Sequence, residues 1–365
     1  MIAVHTQSKS RFYPSKVGAI IRRAARASLY VPRTMPVIVG REVVGLMRGG
    51  GGVARFTPVT HRQWCGFGGY AAIDAAAKNG QENRAFYLKD FSTDVSLSWT
   101  DCWNCVDVPA AGAFTGTANT LRQFDNTTLG GLNINATTPS AGQTRHLVGW
   151  SNIGAQISNP APNISGLAMI YDRVATYESV SISSSPTTLT NTLAPARYVS
   201  SGQDGLLISV TVQTVFGATA SSLSSMTVTD QNGNTNVALT PGYTLNWYTS
   251  APAPTTTSGC IVVLPRDLTN GASPTPFVPL PANVSGVRQV TAFTSSATNT
   301  GSACIVLLHP VGLVWMTSES AAWTDLCRAG FALERVYDTA CLSFMIHQAT
   351  SNPLKMQGWL RITHA

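Results

Sequence analysis

The chain reads as a mainly β protein: one or two antiparallel β-sandwich or jelly-roll domains, preceded by an extended basic N-terminal arm. Three observations carry that reading. Of 365 residues, 42 are Thr, 34 Ser, 31 Gly and 20 Pro, while only 11% are charged, against about 25% in an ordinary soluble domain. Short apolar runs, several alternating with Ser and Thr, recur along residues 85–365 between Gly, Pro and Asn clusters, the pattern of half-buried strands and turns. Residues 1–62 hold 11 basic side chains and one acid, Glu42. That segment is +10, and the remaining 303 residues are −3, which together make the net +7. A coiled coil would need sustained heptads, and a disordered chain would not be 44% hydrophobic. A membrane helix would need about 18 consecutive apolar residues, and no such run occurs.

Taken in order, Lys16 to Leu29 has apolar residues at Val17, Ile20, Ile21, Ala24 and Ala25, a helical spacing that predicts a short helix. Pro32 and Pro36 end it, because proline pushes the preceding residue into extended backbone. Val37 to Met47 reads as extended, and Gly49 to Gly52 supply a hinge. The arm is assigned to 1–62, a first β-rich domain to 63–204 and a second, β-sandwich domain to 205–365. Tyr70 to Asn79 predicts one or two helical turns.

Strands follow at Phe86–Leu88, Val95–Trp99, Arg145–Trp150, Leu167–Tyr171, Val180–Ile182, Leu206–Val215 and Met226–Asp230. Asn232-Gly233 marks a hairpin turn, with Thr235–Leu239 as its return strand. Cys260–Leu264, Val287–Phe293, Ala303–Leu308, Cys341–His347 and Trp359–Thr363 complete the set. Residues 251–285 contain seven Pro and are expected to form a long surface excursion.

Catalytic and metal signatures fail one by one. Cys102-Trp103-Asn104-Cys105 is a C-x-x-C without the second ligand pair that zinc requires and without a βαβ context for redox chemistry. The seven Cys are odd in number, so structural or free thiols are expected rather than a disulfide framework. None of the six His falls in an H-x-x-x-H pattern. Gly49–Gly52 lacks the Gly-Lys-Ser/Thr ending of a phosphate loop. A calcium loop starting at Asp230 would place Pro241 where a bidentate Glu is needed. No enzyme, cofactor or metal is expected.

The arm is the candidate contact region: Lys9, Arg11, Lys16, Arg22, Arg23, Arg26, Arg33, Arg41, Arg48, Arg55 and Arg62. Arginine forks onto carboxylate and phosphate alike. The arm therefore reads as a tether on a neighbouring copy, as a contact to nucleic acid, or as a free tail. The charge-poor body reads as a surface made for large protein contacts, since interface cores are depleted in Lys, Glu and Asp.

Leu121-Arg122 through Leu129-Gly130-Gly131-Leu132, the hairpin Thr227 to Asn234, and Arg335-Val336-Tyr337-Asp338-Thr339-Ala340-Cys341-Leu342 carry a likeness. Through them, residues 85–365 resemble head-associated structural proteins of tailed-bacteriophage virions. The resemblance implies a multi-copy, non-enzymatic part of the virion: a shell, cement (decoration) or head–neck component. Its partners would be copies of itself and capsid or neck proteins, with packaged nucleic acid as a further partner of the arm and no membrane. The rival reading is a carbohydrate- or host-receptor-binding fibre or spike module, for which Trp247 and Trp359 would be stacking residues.

Overall fold

The computed structural model describes residues 75–91, 99–134, 140, 143–156, 165–199, 205–219, 221–239, 245–246, 259–263, 275–317, 322–325, 334–348 and 354–364. A single helical turn at 75–78 precedes the strands. In chain order these are β1 (Glu82–Phe91), β2 (Trp99–Asp101), β3 (Asp107–Val108), β4 (Leu121–Gln123), β5 (Arg145–Gln156) and β6 (Ser165–Ser181). Next come β7 (Thr187–Thr188), β8 (Leu207–Thr214), β9 (Ser222–Asp230), β10 (Val237–Leu239), β11 (Leu245–Asn246) and β12 (Cys260–Val263). The last are β13 (Val287–Ser295), β14 (Ser302–Thr317), β15 (Ala322–Asp325), β16 (Arg335–Val336), β17 (Leu342–Gln348) and β18 (Leu354–His364). The protein is mainly β, and every pairing between these strands is antiparallel.

The strands form three sheets. The first runs β15-β5-β18-β1-β3, with β16 also on β5. The second runs β14-β8-β12-β2-β17-β6-β4, and a further β14–β6 pairing closes all but β4 into a ring. The third runs β10-β9-β13-β7, with β11 on β9. Closing a sheet removes its edges, which would otherwise present unpaired backbone groups.

The spine is the β6–β14 ribbon, of 17 and 16 residues, paired from Ser181↔Ser302 to Ser165↔Thr317. One end lies in a core with the third sheet: Val174, Ala175, Tyr177 and Ala303 to Leu308 meet Met226, Val228, Val290 and Phe293. The other end lies in a core with the first sheet: Ala168, Ile170, Val311 and Val314 meet Tyr87, Trp150, Leu360 and Ile362. Six consecutive residues, Ala303 to Leu308, have no exposure. A strand covered on both faces drops the in–out alternation and reads as an unbroken apolar run.

The sequence-predicted strands that fall on described residues recur, with differences that have local causes; 95–98, the 16–29 helix, the 37–47 segment and the hinge at 49–52 lie outside the described residues. Leu167–Tyr171 and the predicted strand at Val180 belong to one long strand that ends at Ser181, just before Ile182, since β14 pairs with it throughout. The Asn-Gly turn joins β9 and β10, with Gly233 at φ +88, a region that glycine enters without strain. Asp230 accepts the Asn232 and Asn234 backbone N–H groups at 2.8 and 2.9 Å. The carboxylate is thus occupied by donors, and this turn is a hairpin. The Pro-rich stretch is a correction to the expected surface excursion. Cys260–Val263 is an inner strand of the ring, and Phe277, Val278, Leu280 and Val284 are buried. Val278 N–H donates to the Ile208 carbonyl at 2.8 Å. Pro276, Pro279 and Pro281 need no ladder donor, so an irregular segment can seal the core beside β8.

Candidate interaction surface

Two polar constellations stand out, one buried and one exposed. The buried one gathers on Arg173 of β6. Its Nη1 donates to Asp101 Oδ2 at 2.7 Å and to the Tyr171 hydroxyl at 3.2 Å. Tyr171 O–H donates to Asp101 Oδ1 at 2.6 Å. The guanidinium also lies 4.7 Å from the Trp103 ring centroid and 5.3 Å from that of Phe124, so its faces meet aromatic rings. Arg173, Asp101 and Tyr171 have no exposure. Burial pulls the Arg173 pKa down, but the charges of Asp101 and its neighbours outweigh it and the net direction is up.

Next door, Arg197 forks onto Asp172 with both contacts at 2.8 Å, and Asp172 also accepts the Cys341 N–H. Cys102, Cys105, Cys260, Cys304 and Cys341 are free and buried around these pairs. Burial pushes the thiols of Cys102 and Cys260 well up and those of Cys304 and Cys341 up to about 12. Neutral, enclosed thiols are poor nucleophiles. Arg173, Asp101, Tyr171 and Asp172 are closed off from solvent, and their charged groups are paired with one another.

The exposed constellation lies on the first sheet. On β1, Asn83, Ala85, Tyr87 and Lys89 are buried, and on β18 so are Met356, Gly358, Leu360 and Ile362. The alternate residues therefore face outward. The register sets Phe86 beside Trp359, Leu88 beside Gln357 and Asp90 beside Lys355. It also sets Leu88 beside Val108 of β3 and Trp359 beside Ser151 of β5. Trp359 is 48% exposed and Val108 41%. Phe86 props the indole from the side, ring centroids 5.0 Å apart and planes at 58°.

The backbone beneath is held hard. Trp359 N–H donates to Ser151 Oγ at 2.9 Å. At Gly358 a Cβ would fall 1.9 Å from the Ser151 carbonyl oxygen and 2.6 Å from the Tyr87 hydroxyl. Tyr87 O–H donates to that carbonyl at 2.9 Å and accepts the Trp150 indole N–H at 2.7 Å. The outward tryptophan thus stands on the inner aromatic cluster of Tyr87, Trp150 and Phe344.

Charges ring this apolar strip and are paired with one another, three cations on two carboxylates. Glu82 accepts from Arg361 at 2.6 Å and from Arg84 at 2.9 Å. Lys355 pairs with Asp90 at 3.0 Å. Burial raises the Glu82 pKa, but hydrogen bonds and charge from Arg84 and Arg361 outweigh it and hold it below the usual value. The Asp90 hydrogen bond and charge raise Lys355.

The eleven arm residues, Lys9, Arg11, Lys16, Arg22, Arg23, Arg26, Arg33, Arg41, Arg48, Arg55 and Arg62, lie outside the described residues, as does Trp247. Trp359, the other stacking residue of the saccharide reading, is exposed on β18. Its neighbours Phe86, Leu88 and Val108 went unnoticed. Alternation sets Phe86 and Leu88 on one face, but only the register of β1, β3 and β18 gathers all four. Among the described residues, no cluster of His, Cys, Asp and Glu fits a metal ion, and no helix is long and apolar enough to cross a membrane.

Comparison with known proteins is sparse. No protein-family model matches, and no curated protein matches. Among solved structures, the chain aligns with the infectious bursal disease virus VP2 subviral particle at 8% identity and a TM-score of 0.16, over 77% of this chain and 79% of that one. It also aligns with the structure of the infectious bursal disease virus Gt strain at 9% identity and a TM-score of 0.15, over 77% and 80%. Overlap of that size establishes no shared fold, and the functional reading rests on this chain's own residues.

Proposed function

We propose that the chain is a structural building block of a virus particle, used in many copies, with its arm reaching onto a neighbouring copy. The observation that supports this most is the division of charge: +10 in the first 62 residues and −3 over the other 303, on a body with antiparallel sheets and two cores. A body so poor in charge can meet its own copies without repulsion, and a basic arm adds a tether to acidic protein surface or packaged nucleic acid. Within the class, the resemblance of residues 85–365 to tailed-bacteriophage head proteins favours a shell, cement or head–neck role. Electron microscopy of the purified chain tests it. Closed shells, rings or decorated capsids are expected, and uniformly dispersed monomers under all assembly conditions would count against it.

The exposure of Trp359 favours one other reading, a saccharide-binding module. Quenching of Trp359 fluorescence by neutral oligosaccharides, lost in Trp359→Ala, would support that reading instead.

A further inference from the structure

We infer that the outer face of the first sheet, centred on Trp359, Phe86, Leu88 and Val108, is a contact between two copies of this chain. The inference rests on the multi-copy reading and names the surface that would serve it. Four features lead to a second copy as the occupant.

The first is composition. Trp359 is the one aromatic among the exposed large apolar side chains of the described residues. Interface hot spots are enriched in Trp, cluster centrally and are surrounded by energetically quiet contacts that exclude water. Phe86, Leu88 and Val108 extend the apolar centre, and paired charges make its rim.

The second is charge. A surface that meets its own copy meets its own sign, so any unbalanced charge repels. Here Glu82 is shared by Arg84 and Arg361, and Asp90 is taken by Lys355. These pairs set three cations against two carboxylates, and the exposed Asp107 of β3, whose charge reaches Lys355, is a third carboxylate, so the rim is near neutral. Such a face offers little to a charged partner and no obstacle to itself.

The third is area. Strands spaced about 4.8 Å with about 3.4 Å per residue give roughly 16 Å² of sheet per residue, so β1, β18 and β3, the strands with open outer residues, present about 370 Å². A standard interface takes about 800 Å² from each partner, so this strip supplies about half of one, a weak contact of the kind that many copies add together. The fourth is rigidity. The Gly358 contact and the Ser151 hydrogen bond fix the backbone of Trp359, so little ordering remains to oppose association. Two such faces would stack about 10 Å apart in the manner of a sandwich.

The test is sedimentation equilibrium of the full chain, comparing wild type with Trp359→Ala, Trp359→Phe and Val108→Glu. Self-association is expected to weaken at least about 30-fold in Trp359→Ala, the size of a hot-spot loss, and to survive largely in Trp359→Phe. Val108→Glu, on the exposed border, should weaken it without touching the core. Unchanged far- and near-ultraviolet circular dichroism checks that each variant is folded. Wild type that associates while Trp359→Ala and Val108→Glu associate equally well overturns the inference and leaves the multi-copy reading standing. Wild type that stays monomeric overturns both. Quenching by cellohexaose or maltohexaose without any effect of the variants on sedimentation assigns the face to saccharide and overturns the inference as well.

Discussion

Arg173 and Arg361 make the same kind of bond in opposite surroundings. Arg173 holds Asp101 with neither side chain exposed, while Arg361 holds Glu82 with its own side chain 31% exposed. Two ions taken out of water are held only by their partners, and removing one leaves an uncompensated buried charge. A pair at the surface is screened and contributes little. The inner pairs thus hold β2, β6 and the ring in place. The outer pairs mainly neutralise a face without stiffening the fold. The first sheet shows the same division across its thickness: Tyr87 and Trp150 inward for stability, Phe86 and Trp359 outward for contact.

The sharpest way to break this contrast is at Asp101. Asp101→Leu strands the Arg173 guanidinium and should cost about 3–5 kcal/mol, read from denaturant unfolding. Asp101→Leu with Arg173→Met should recover much of that loss, because an apolar replacement of both partners carries no unpaired charge. A double variant no more stable than the single would sink the interpretation.

Gly358→Ala comes next. Its Cβ cannot coexist with the Ser151 carbonyl oxygen, so β18 must shift, at a cost of about 1–3 kcal/mol typical of overpacking. Gly80, also in β1's approach, has open space around a Cβ, but its φ of +71 makes it a poor neutral control.

Smaller effects belong to the outer face. Arg361→Gln should change stability by less than about 1 kcal/mol and lose that effect in high salt. The pH dependence has a definite sign. The Glu82 pKa is lower in the folded protein than its ordinary 4.5, so its contribution is present above 4.5 and is lost as pH falls through the folded value. Glu82→Gln should remove that acid-side step, seen by comparing unfolding midpoints of the two proteins across the carboxylate range. Lys89 also shifts down, but for the opposite reason, because here the charged form is disfavoured: burial lowers it, despite opposition from Cys102, Cys105, Asp101 and Asp107. The unfolded chain then binds the proton more tightly, and stability should rise with pH between the folded value and 10.5.

Much of the strand order is written in local pattern. The alternation in Leu206–Val215 and the Asn-Gly turn after Asp230 are both found as strand and hairpin. Ring closure is not local. It depends on β14 pairing with β8 and β6 at once, and no residue in Ser302–Thr317 announces two partners except through the lost alternation at Ala303 to Leu308. The buried ion pairs escaped for the same reason. In sequence Asp101 is only the neighbour of the C-x-x-C, and its cation lies 72 residues away. Proline count misled at 275–285, where the side chains between prolines, and not the prolines, decide burial. At the surface, Trp359 was legible as an aromatic on a short strand. Its apolar neighbours were not, because cross-strand register assembles them.

The most direct test of the division between inward stability and outward contact is the unfolding midpoint as a function of protein concentration, for wild type and Trp359→Ala. Association that binds only the folded state raises the midpoint with concentration. The account predicts a rising midpoint for wild type and a flat one for Trp359→Ala, with the two meeting at low concentration. A Trp359→Ala midpoint that still rises as steeply, or that lies well below wild type at the lowest concentration, would contradict it.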